Sequence, residues 1–174
     1  MDERRERVKN ETKNSFMKYF AYGSNMNPER MEKRVLNFTK GSSAKLKGYR
    51  LKFNKRADRN PLEGYANIVT SVGSIVEGIL YEISKDDFCK IDKNEGVPIH
   101  YERKKITVQV INNKEIEAET YIANPSKIKD SLKPTKEYLE HLLKAKDMLS
   151  NEYYNWLKST ETLDQLIKNH TNYI

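Results

Sequence analysis

The chain has 174 residues, about the length of one domain, with 37% apolar, 33% charged and 10% aromatic side chains, a globular composition that excludes wholesale disorder. No apolar stretch approaches the roughly 18 residues of a membrane span. The first 18 residues carry six basic and four acidic side chains, unlike a signal or transit peptide, and the single cysteine, Cys89, cannot close an internal disulfide, which fits a reducing cytoplasm.

Residues 1–16 read as a polar extension, frayed or loosely helical, ahead of one domain over 17–174. Met17–Tyr22 is predicted as a strand ending at Gly23-Ser24-Asn25. Asn27 then caps a helix that Pro28 opens, with Met31 and Val35 on its buried face. Strands follow at about 44–54, 64–71 and 75–83, punctuated by glycines that suggest bulges or barrel corners. Ser84 caps a short helix over about 84–92 that carries Cys89, read as a core residue. Residues 100–110 and 115–123 are predicted to form a hairpin turning at Asn112-Asn113.

After Pro125 the period changes from two to 3.6. Pro134 opens a helix whose Tyr138, Leu142, Ala145 and Leu149 share a face. Ser150 caps the next helix, which turns Tyr153, Trp156 and Leu157 to the core, and a last helix lies near 162–168 before a polar tail. Sheet first and helices last implies an α+β fold: a small closed or strongly curved mixed β-barrel with flanking helices.

The net charge is +7, and Lys40–Arg59 alone holds eight basic residues and one Asp. Such a stretch can attract nucleic acid or acidic ligands. From Tyr49 to Phe53, however, apolar residues alternate with Arg50 and Lys52, as on the solvent side of a strand pair. Charge alone does not identify a nucleic-acid binder, and no recognised nucleic-acid motif accompanies it.

Two segments could carry chemistry. In Tyr22-Gly23-Ser24-Asn25-Met26 a strand meets a helix start and leaves backbone N–H groups aimed at one spot. Such a nest suits a carboxylate, a phosphate or a developing oxyanion; the plain reading is a strand-to-helix turn. Ser24 lacks the Gly-x-Ser-x-Gly setting of a nucleophile. In Asp92-Lys93-Asn94-Glu95-Gly96 two carboxylates stand at a helix exit, where a Glu can reach a neighbouring barrel mouth or simply face water. His100, His141 and His170 have no metal-ligand spacing, and a Cys89/His100 pair is the one conceivable nucleophilic arrangement.

Together, Tyr19-Phe20-Ala21-Tyr22-Gly23-Ser24-Asn25-Met26 and Ile91-Asp92-Lys93-Asn94-Glu95-Gly96 resemble the gamma-glutamylcyclotransferase-like family. Leu46–Asn54, Ala66–Val69, Val76–Tyr81, Tyr101 and Pro134–Tyr138 resemble its later segments, so the likeness runs from about Met17 to Leu157. The resemblance implies a small barrel enzyme that cyclises a gamma-glutamyl amide to 5-oxoproline with no cofactor or metal. Glu95 would be the general base and acid; Tyr22, Gly23, Ser24, Asn25 and Met26 would hold the substrate, joined by Tyr101 and Tyr138. The expected partner is a small gamma-glutamyl compound, with no membrane and no nucleic acid; the oligomeric state is unreadable from sequence. Two other readings stay open: a non-catalytic ligand- or partner-binding member, which a solvent-facing Glu95 would favour, and a nucleic-acid-associated module built on the basic stretch.

Overall fold

A computed structural model describes residues 16–171, with side chains described through residue 167. The N-terminal extension up to residue 15 and the tail 172–174 lie outside the described residues.

Five strands close into a mixed barrel in the order β1-β3-β2-β4-β5. They are β1 (Phe16–Ala21), β2 (Ser42–Arg56), β3 (Gly64–Ser84), β4 (Tyr101–Gln109) and β5 (Glu115–Ala123). All neighbours are antiparallel except the closing pair, where Tyr19 of β1 stands beside Glu119 of β5 in parallel. Alternation explains the lining: Ile106 and Val108 of β4 are buried, while Thr107 between them faces out. The core centres on Phe20, Met26, Ile68, Val76, Ile79, Tyr81 and Ile83.

The third and fourth expected strands are one. β3 runs from Gly64 to Ser84, and residues 71–74 stand opposite the single Gly48 of β2, between the pairs Lys47–Ile75 and Tyr49–Thr70. Gly48 and Gly73 both take φ of +78° with open space where a Cβ would stand, so the irregularity bends the ribbon without breaking it. The β4–β5 turn uses Asn112 and Asn113 at φ of 61° and 58°, the left-handed pair a tight hairpin requires.

Helix α1 (Pro28–Arg34) starts as expected, with the Asn27 side chain accepting from the Glu29 N–H and Met31 buried beneath it. Helix α2 (Lys85–Glu95) is capped by Ser84, which accepts from Asp87 N–H, but extends three residues past its expected end. Its buried line is Asp87, Phe88 and Ile91, so Cys89 sits off that line and is exposed rather than in the core. Helix α3 (Lys136–Leu143) begins after the cap Thr135, not at Pro134, and ends before Ala145 and Leu149, which are buried beyond it. Helix α4 (Asn151–Lys158) has the expected Ser150 cap. Tyr153 and Leu157, four apart, share its inner line; Trp156 falls on the flank and is 45% exposed, against expectation. Helix α5 (Leu163–Thr171) follows. None of the helices among the described residues is long and apolar enough to cross a membrane.

Candidate active site

The two motifs come together although 70 residues separate them. After β1 the chain passes through Gly23 into a 3-10 turn, Ser24–Met26, whose first amides have no partner within the turn. Gly23 is needed for close approach: a Cβ there would lie 3.0 Å from Ala66 Cβ and 3.4 Å from the Tyr138 hydroxyl. From the other side α2 delivers Glu95 as its last residue. Gly96 then takes φ of +66° and its N–H closes the helix onto the Asp92 and Lys93 carbonyls.

Glu95 points inward. Its Oε1 accepts from Asn25 Nδ2 at 3.0 Å and from Arg34 Nη1 at 2.9 Å. Arg34 Nη1 also donates to Asn25 Oδ1 at 2.6 Å, and Asn25 Nδ2 donates to the Tyr19 hydroxyl at 2.8 Å. The Tyr81 hydroxyl donates to the Asn25 carbonyl at 3.1 Å. The Asn25 amide is therefore fixed on both ends, and it fixes Glu95 in turn. A carboxylate at a helix C-terminus meets the negative end of the helix dipole. Arg34, from the last turn of α1, supplies the opposing charge at a site where both side chains are less than a fifth exposed.

One turn earlier, Asp92 accepts from the Tyr121 hydroxyl at 2.7 Å and from Arg103 at 2.7 Å, tying α2 to the β4–β5 hairpin.

Glu95 stands in the wall between two spaces. An inner pocket of about 30 Å³ is lined by Tyr19, Tyr22, Gly23, Asn25 and Tyr121 among others. An outer cavity of about 740 Å³ adjoins it, and Ser24, Glu95, Tyr101 and Tyr138 border both. Burial pushes the hydroxyls of Tyr22, Tyr101 and Tyr138 well above the ordinary phenol value, so all three stay protonated. Tyr22 donates to the Tyr121 carbonyl, and Tyr101 donates to the Ala66 carbonyl at 2.8 Å. Tyr138 accepts from the Ala66 N–H at 3.1 Å and stacks on Tyr65 with 4.8 Å between ring centroids.

Of the substrate-holding residues expected from sequence, Tyr22, Gly23, Ser24, Asn25, Tyr101 and Tyr138 border these spaces, whereas Met26 is fully buried in the core and borders neither. Sequence reasoning missed Arg34, Tyr19 and Tyr121. Among the described residues no cluster of three potential metal ligands occurs. His100 pairs with Asp58 at 3.2 Å, and His141 lies between Asn27 and Arg30.

The family model described as gamma-glutamyl cyclotransferase, AIG2-like, matches residues 19–140. Gamma-glutamylcyclotransferase from Bos taurus is 28% identical over 168 residues, covering 86% of this chain and 87% of that protein. The Mus musculus gamma-glutamylcyclotransferase is 30% identical over 149 residues, covering 82% and 78%. A solved gamma-glutamyl cyclotransferase structure superposes with a TM-score of 0.78 at 27% identity, over 86% of this chain and 90% of that one. A yeast structure described as specific to glutathione shares only the fold, at 15% identity and a TM-score of 0.61, over 83% of this chain and 94% of that one. With the family model matched over residues 19–140 and these relatives covering most of the chain, the chain belongs to the AIG2-like gamma-glutamyl cyclotransferase family.

Proposed function

We propose that the protein cyclises a gamma-glutamyl amide, releasing 5-oxoproline and a free amine, with Glu95 carrying protons between the two nitrogens. The observation behind this reading is that Glu95 Oε1 is held on Asn25 and Arg34 in the wall shared by the inner pocket and the outer cavity. A carboxylate there can reach a group in either space.

The glutamyl end sits at the mouth of the inner pocket, whose roughly 30 Å³ admits its α-carboxylate onto the amides of the turn at Gly23-Ser24-Asn25. Its side chain curls into the outer cavity beside Tyr101 and Tyr138. The α-amine attacks the γ-carbonyl carbon, forming the ring C–N bond. The attacking nitrogen goes from ammonium to lactam N–H and so gives up two protons. The departing nitrogen takes up two as the old C–N bond breaks. One carboxylate near both atoms serves as base and then acid. Most of the advantage comes from folding one flexible molecule on itself, worth about 7–11 kcal/mol in well-oriented cases.

A solvent-facing Glu95 would have favoured a non-catalytic binding member; its inward pose supports the enzyme instead. The single cysteine is compatible with a reducing compartment such as the cytoplasm. The test is incubation with gamma-glutamyl amino acids, gamma-glutamyl amines and glutathione, following 5-oxoproline, with Glu95→Gln alongside. Product from one class, lost in the variant while its fold is kept, is the expected result. Undiminished turnover by Glu95→Gln overturns the assignment.

A further inference from the structure

Among the described residues, Arg30, Lys55, Arg59 and Lys93 line the outer cavity without an ion-pair partner, and Lys55 is the one that is buried. An irregularity in the β2–β3 register between Lys52 and Lys55 leaves the consecutive Asn54 and Lys55 both buried, and Lys55 is only 4% exposed. Its Nζ lies 5.4 Å from the Tyr65 ring centroid and 5.7 Å from that of Tyr101. The aromatic faces offset part of the cost of burying the charge, but they satisfy none of its three N–H donors. Among the described residues no carboxylate stands within 4.0 Å of it.

Of the carboxylates on the outer cavity wall, Asp58 pairs with His100, Glu63 accepts from Thr135, and Glu95 holds Arg34 and Asn25; Glu137 of α3 also lines that wall but forms no ion pair with Lys55. Desolvation accordingly pulls the Lys55 ammonium below the usual lysine value. The stem is buried between the rings while the ammonium head opens onto the cavity, where an anion that arrives with a ligand can pair with it. The Tyr101 ring that Lys55 lies against borders both spaces, whereas Lys55 itself borders only the outer cavity. That is where the part of the substrate beyond the scissile amide must extend.

We propose that Lys55 is the leaving-group recognition residue: it binds a carboxylate on the departing amine, so the substrates are gamma-glutamyl amino acids or gamma-glutamyl peptides rather than derivatives of plain amines. The inference rests on the cyclisation reading for the substrate's orientation, but its chemistry is separable from turnover.

The test compares gamma-glutamyl-alanine, glutathione and gamma-glutamylethylamide, the last being the alanine compound without its carboxylate. In the wild type at least one carboxylate-bearing substrate should exceed the ethylamide in kcat/KM by about tenfold or more; which one distinguishes an amino acid from a peptide. Lys55→Met keeps the stem between the rings and should bring that ratio toward one, and Lys55→Arg should restore part of it. A merely structural role would lower all three substrates by one common factor, and that result, or a wild type without preference, overturns the proposal. Calorimetry of the same ligands on Glu95→Gln, with and without Lys55→Met, reads recognition without chemistry. If no 5-oxoproline forms yet a Lys55-dependent preference appears in binding, the cyclisation reading fails and this inference stands. If none of the ligands binds, or Lys55 makes no difference to binding, the inference fails whatever the turnover.

Discussion

The inner pocket and the outer cavity share a wall but are built on opposite terms. Around the inner pocket the polar groups are bonded to one another: Tyr19 to Asn25, Asn25 to Arg34 and Glu95, Tyr22 to the Tyr121 carbonyl. The outer cavity is larger and, among the described residues, carries donors left over: Lys55 has no ion-pair partner, and Arg30 Nε is buried with no partner. A satisfied network holds its own shape and demands a specific occupant; leftover donors are completed by whatever the occupant brings. On the cyclisation reading, the difference suits the inner space to the α-carboxylate that every substrate shares and the outer one to the part that varies.

The largest effect that can break this division is at Glu95. Glu95→Gln keeps the size of the side chain and one acceptor oxygen for Asn25 or Arg34 while removing the base, and turnover should fall by roughly 10²–10⁴-fold, checked by 5-oxoproline release beside an unchanged circular dichroism spectrum. Arg34→Met should cost less, about 10²-fold or below, because it displaces Glu95 and Asn25 rather than deleting either. Its signature is a fall in kcat larger than any rise in KM.

Gly96→Ala tests the mounting of Glu95 through stability. It forces φ of +66° on a residue with a Cβ, which would lie 2.4 Å from the His100 ring. The left-handed conformation alone costs about 1–2 kcal/mol, so Tm should drop by roughly 2–8 °C. The smallest effect belongs to the outer rim. Burial first, and then the neighbouring Arg30, hold the His141 imidazole below its ordinary value of 6.5. The unfolded chain therefore binds a proton at mildly acidic pH that the folded protein refuses, and stability is lost as pH falls through 6.5. Denaturant midpoints measured at about pH 5 and about pH 7.5 should differ less in His141→Gln than in the wild type.

Local signals were the legible ones. The caps at Asn27, Ser84 and Ser150 and the hairpin at Asn112-Asn113 each depend on a few adjacent residues, and each forms where the sequence placed it. What needs distant partners was hidden. The closing parallel contact between β1 and β5 leaves no mark on either strand, and the continuity of β3 through Gly73 depends on Gly48 giving way opposite it. Arg34 looks like any cation in the last turn of an exposed helix, favoured there by the dipole; only the fold brings Glu95 to it. Lys55 was hidden as well: the alternation of Tyr49, Leu51 and Phe53 is interrupted by the irregularity between Lys52 and Lys55, and a lysine within a basic run reads as solvated until its surroundings are seen.

The double attachment of Asp92, to Tyr121 on β5 and Arg103 on β4, has a mechanical consequence. It clamps α2 one turn before the carboxylate, so Glu95 is a fixed post rather than an arm that swings to meet its target. Adaptation then falls to the ligand, whose own bonds must rotate until amine and carbonyl meet. A compound already locked into that curled shape has less freedom to lose on entering, and should outcompete an extended one of equal size.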